Sequence, residues 1–157
     1  MRKIMFLLVI LLAFPDTLWA ADPIIGTWKT NLEKSAASDG EKKIKEEICI
    51  YREIEGGLVE LDASTVYEDG TAESSKWAWP KEGGVAKCVT KTLPEEMLYV
   101  EVLVGPGHWF ASITMDKKQI GLYHKEVSKD KKTMNQVYTG LDDNGKPITI
   151  KKVLERQ

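Results

Sequence analysis

Cysteine and histidine are nearly absent from this 157-residue chain, with two of each. That scarcity removes most metal and thiol chemistry at the outset. Cys49 and Cys88 form no C-x-x-C pair and have no histidine near them in sequence, so a zinc site there would lack two of its four ligands. His108 and His124 would need a third ligand, for which only Glu101 or Glu126 offer themselves, and no metal is expected. No G-x-S-x-G elbow positions a serine nucleophile, and Gly105-Pro106-Gly107 is a turn and no phosphate cradle. No catalytic residue and no cofactor is therefore assigned. None of Asn31, Asn135 and Asn144 begins a glycosylation sequon. Repeats, low-complexity tracts and interdomain linkers are missing too. Beyond the first 22 residues the only helical candidate is the short segment 32–37.

Excess positive charge is also missing. The whole chain carries 22 Lys+Arg against 24 Asp+Glu, a net charge of −2. A nucleic-acid partner requires a basic surface that displaces phosphate counterions, and none is present. The lysine clusters at 41–45 and 129–132 are interleaved with acids and read as solvated turns.

The one long apolar run sits at the start. Arg2 and Lys3 precede an unbroken apolar stretch over 4–14, followed by Pro15, Asp16 and the small pair Ala20-Ala21. A stretch that short does not span a bilayer, and this order is that of a secretory signal peptide cleaved after Ala20. Removing it takes two basic residues and one acid, leaving 20 against 23. The expectation is a periplasmic or secreted protein, one domain over 21–157, with no stable membrane anchor. In an oxidising compartment an even cysteine count reads as one disulfide between Cys49 and Cys88, with two free thiols as the rival. Closing a loop of about 40 residues would stabilise the fold by roughly 4 kcal/mol.

From residue 44 onward the chain is a series of short β-rich segments bounded by turn residues: 44–54, 58–68, 71–79, 85–92, 97–104, 108–115, 120–127, 133–141 and 148–154. Asp69-Gly70 and Asn144-Gly145 are strong hairpin signals, because glycine accepts the positive φ that tight turns demand. Nine or ten strands at even spacing point to an all-β, antiparallel, up-and-down barrel.

Two segments carry a resemblance. Gly26-Thr27-Trp28, followed by Lys34-Ser35, is similar to the G-x-W opening of the lipocalin first strand and its bacterial continuation. The ending Val127-Ser128-Lys129-Asp130-Lys131-Lys132-Thr133-Met134, then Thr139-Gly140-Leu141-Asp142-Asp143-Asn144-Gly145-Lys146-Pro147, resembles the "VSKDGKTM…GTDANGKPV" pattern of the same group. The chain thus looks like a bacterial secreted lipocalin-like, or calycin-type, protein over about a third of its mature length. The T-D-Y motif of classical lipocalins is missing. The resemblance implies a barrel open at one end and no single activity.

Trp28 reads as a structural plug closing the barrel bottom, with Gly26 letting the chain pass close beneath it. Trp77 and Trp79 are two apart and share one strand face. Turned inward, they would form an aromatic wall for a small apolar or amphipathic ligand, with Tyr99, Phe110, Tyr123, Tyr138 and His124 as further candidates. The alternative for these rings is plain packing of core or rim. If a hairpin turns about residue 117, Phe110 pairs with His124, and parity with Ile120 and Leu122 would place His124 inside. Two other functions stay open: an envelope interaction protein or enzyme inhibitor using loops 80–85 and 105–109, and a small enzyme using the cavity. An exposed Trp109 would favour the first, and an inward His124 beside a carboxylate the second.

Overall fold

A computed structural model describes residues 22–36, 42–90, 97–142 and 144–157. The expected leader and cleavage site lie outside these residues. Ten strands run β1 (Gly26–Thr30), β2 (Ile44–Ile54), β3 (Leu58–Tyr67), β4 (Ala72–Pro80), β5 (Gly83–Cys88), β6 (Leu98–Gly105), β7 (His108–Met115), β8 (Lys118–Val127), β9 (Thr133–Leu141) and β10 (Pro147–Arg156). Each bonds to its neighbours in chain order, and β10 returns to β1, so the sheet is a closed up-and-down barrel with no free edge. The closing register sets Trp28 opposite Arg156 on one side and Cys49 on the other.

The turns explain the meander. Asp116 and Lys117 both take positive φ, 51° and 61°, which matches the twist of the flanking strands in a two-residue hairpin. The turn pairs Met115 with Lys118, and a β-bulge that skips Ile120 then shifts the register by one, setting His108 opposite Glu126 and Phe110 opposite His124, the pairing expected from a centre near residue 117. The helical expectation at 32–37 is not met over its described part: residues 32–34 form a turn, and Ala36 bridges to Lys151. Asn31 caps this single turn, its side-chain oxygen accepting from the Lys34 amide at 3.1 Å, and the bridge of Ala36 to Lys151 keeps the turn from continuing as a helix.

One end of the barrel is sealed. Trp28, Met134 and Leu154 have no solvent exposure and Ile24 almost none. The Trp28 indole N–H donates to the Ile24 carbonyl at 2.7 Å. Arg156 lies under the ring, its guanidinium carbon 4.2 Å from the centroid, and donates to the carbonyls of Pro23, Ile25 and Lys131. A Cβ at Gly26, whose φ is 142°, would collide with that guanidinium, so only glycine fits the first position of β1.

The expected disulfide is not present: Cys49 and Cys88 are not bonded to each other. Cys49 on β2 and Cys88 on β5 are three strand spacings apart, about 14 Å across the sheet, whereas a bridge needs Cα atoms within about 7 Å.

Candidate functional site

Above the plug the barrel is hollow. A cavity of about 310 Å³ is lined by residues of β2 through β9. In β2 the inward set is Glu47, Cys49 and Tyr51, in β6 Tyr99 and Glu101, in β8 Tyr123 and Lys125, and in β9 Gln136 and Tyr138. Period-2 alternation thus sends two carboxylates, an ammonium and several phenols inside, while Ile50 and Leu122 face solvent.

The walls are aromatic. Trp77 and Trp79 both line the cavity from β4. Trp79 is deep and nearly unexposed, edge-on to Tyr51 at 6.2 Å. Trp77 sits higher and leans on Tyr99 at 5.2 Å. Tyr138 also lines the cavity, seated over the facing pair Gly121 and Gly140. A Cβ on either glycine would run into its ring.

The polar groups form two ion pairs. Glu47 accepts from Thr30 at 2.6 Å through one oxygen and from Lys152 at 2.6 Å through the other. Deeper in, Lys125 donates to Glu101 Oε1 at 2.5 Å, with side chains only 3% and 1% exposed. Ala111, the neighbour of Glu101 on β7, is small enough to let this pair meet across the intervening strand. The Lys125 ammonium also lies over the rings of Trp79, Tyr51 and Tyr123, at 4.8, 5.8 and 5.8 Å. Tyr99 donates to the same Oε1 at 3.3 Å, whereas Glu101 Oε2 is buried with no partner among the described residues. Gln136 completes the belt, accepting from the Tyr123 hydroxyl at 2.8 Å and donating to the Tyr51 hydroxyl at 3.2 Å.

Burial raises the pKa of the Tyr51, Tyr99 and Tyr123 phenols far above their ordinary range, so they stay protonated. It pushes the Cys49 thiol up to about 12, which leaves no thiolate nucleophile at neutral pH. The chemistry on offer is apolar stacking with a few fixed donors and acceptors.

Phe110 and His124 are corrected by the structure. They stack on each other at 4.5 Å, but on the outer face of the barrel, Phe110 being 45% exposed. His108 pairs with Glu126 at 3.2 Å on that face, whereas Glu101 is buried in the lumen, so the four candidate metal ligands are never brought together. Trp109 is 2% exposed and belongs to the core, so the 105–109 loop does not present it to a partner. Sequence reasoning missed Glu47, Tyr51, Lys125 and Gln136 as lumen residues. Glu101 carried a signal: it is the one charge in the otherwise apolar 97–104 run, on the parity of Tyr99 and Leu103.

Neither a protein-family model nor a curated protein sequence matches the chain. Solved structures do. A point mutant of the fluorescent protein UnaG overlays with a TM-score of 0.56 at 14% identity, covering 87% of this chain and 97% of that one. Wild-type UnaG gives 0.53 at 13% identity, covering 85% and 97%. At that identity the likeness establishes the fold, a calycin-type barrel of lipocalin or fatty-acid-binding form, and the fold alone.

Proposed function

We propose that this chain is an exported carrier that holds a small apolar or amphipathic molecule inside its barrel. The observation that supports this reading best is the 310 Å³ cavity, whose mostly apolar walls include six aromatic rings and whose polar groups are held in place by one another. That combination is the usual form of a small-molecule site. Export rests on the leader-like first 22 residues. The structure places no inward histidine beside a carboxylate, the feature that would have favoured an enzyme.

The neutral fluorescent probe N-phenyl-1-naphthylamine tests the cavity. It should bind the wild-type protein, and Trp77→Ala should weaken it by about two- to twelvefold, because an aromatic contact beyond its buried area is worth about 0.5–1.5 kcal/mol. Trp77 is the better target because Trp79 belongs to the buried core. Unchanged affinity in a folded Trp77→Ala variant would remove the ring from the site.

A second reading draws on the outside of the barrel. Val102 is 49%, Phe110 45% and Leu122 49% exposed, on three adjacent strands, and together they offer an apolar face to a protein partner.

A further inference from the structure

The polar belt of the cavity is balanced in charge but unequal in hydrogen bonding. Two carboxylates, Glu47 and Glu101, face two ammoniums, Lys152 and Lys125. Glu47 has partners on both oxygens. Glu101 spends Oε1 twice, on Lys125 and Tyr99, and its Oε2 is buried with no donor among the described residues. A carboxylate oxygen buried without a donor is costly, so Oε2 is the acceptor that gains most from a ligand, which reaches it by a small turn of the Glu101 carboxyl toward the lumen.

We propose that the cavity selects an uncharged, ring-bearing molecule whose hydroxyl or ring N–H donates to Glu101 Oε2. This inference rests on the carrier reading above and names the ligand class. A carboxylate ligand fits poorly. The lumen holds no excess cation, so an anion would have to break the Lys125–Glu101 pair and then face Glu101 at close range. A cationic ligand meets the Lys125 ammonium on the same carboxylate. A neutral donor satisfies Oε2 and leaves both ion pairs in place. Its ring would lie among Trp77, Trp79 and Tyr99, which supply stacking surface without discriminating one ring system from another.

Three naphthalenes of nearly one shape separate these cases: 2-naphthol has a donor, 2-methoxynaphthalene has none, and 2-naphthoate is an anion. With the wild-type protein, 2-naphthol should bind about tenfold or more tighter than 2-methoxynaphthalene, the range for a hydrogen bond to a charged group, and 2-naphthoate weakest. In the double variant Glu101→Leu/Lys125→Met, which removes the acceptor and its counter-ion together, the preference for 2-naphthol should collapse to within about twofold. Equal binding of 2-naphthol and 2-methoxynaphthalene, or tightest binding of 2-naphthoate, would overturn this inference and leave the carrier reading standing. A donor preference that survives in the double variant would overturn the assignment to Glu101. Failure of all three to bind would defeat the carrier reading itself. The wild-type comparison decides the matter even if the double variant does not fold.

Discussion

Replacing Trp28 with alanine should destabilise the barrel by about 3–5 kcal/mol, the cost of deleting a buried tryptophan from a packed core. Several features at the sealed end add up to that figure. The ring has no solvent exposure and contacts a core that includes Ile24, Met134 and Leu154. Its N–H satisfies the Ile24 carbonyl, which would otherwise lose a buried partner. Arg156 would lose the ring beneath its guanidinium while remaining tied to three carbonyls. Trp28→Phe should cost less, since most of the ring surface remains and only the indole hydrogen bond goes. In urea unfolding, the alanine variant should show a clearly lowered midpoint with an unchanged slope. A loss below about 1 kcal/mol would mean that β1 is not the plug of the barrel.

Much of this architecture was legible from the sequence, because turns speak more plainly than faces. Asp69-Gly70 and the 116–118 turn placed the hairpins, and the β7–β8 register expected from a centre near 117 is reached through a bulge that skips Ile120. What went wrong was the side on which residues sit. Period-2 reasoning assigns the apolar positions to the inside, and a one-residue shift of parity inverts the assignment. In β8, Ile120 and Leu122 argued for an inward His124, yet Tyr123 and Lys125 are the residues that line the lumen. In β2 the same rule would turn the isoleucines at 44, 48, 50 and 54 inward, while Glu47, Cys49 and Tyr51 point inside. The rule fails there because a hollow barrel holds paired charges and phenols in its interior, which hydrophobicity alone assigns to water. In β4 no such conflict arises, since the two tryptophans of one parity both line the cavity. The disulfide expectation came from compartment and count, and neither contains the distance between strands.

Removing the Lys125 ammonium alone should be the other severe change. Lys125→Met strands the Glu101 carboxylate, 1% exposed, without its counter-ion, and breaking a buried pair from one side costs about 3–5 kcal/mol. Replacing both partners, as in Glu101→Leu/Lys125→Met, removes the uncompensated charge along with the pair. The double variant should therefore recover at least half of the stability that the single one loses. Urea midpoints of the wild type, both single variants and the double variant close a thermodynamic cycle on this contact. Additive losses would show that the two side chains do not interact in the folded protein.

The claim on which the rest depends is that the occupied surface is the inside of the barrel and not its apolar outer face. Titration of N-phenyl-1-naphthylamine into two variants decides between them. Ala63→Trp places an indole in the cavity from the middle of β3, and Phe110→Ser strips the centre of the exposed patch. The carrier reading predicts that the first abolishes probe binding and the second leaves it at the wild-type level. Binding retained in Ala63→Trp and lost in Phe110→Ser would contradict it.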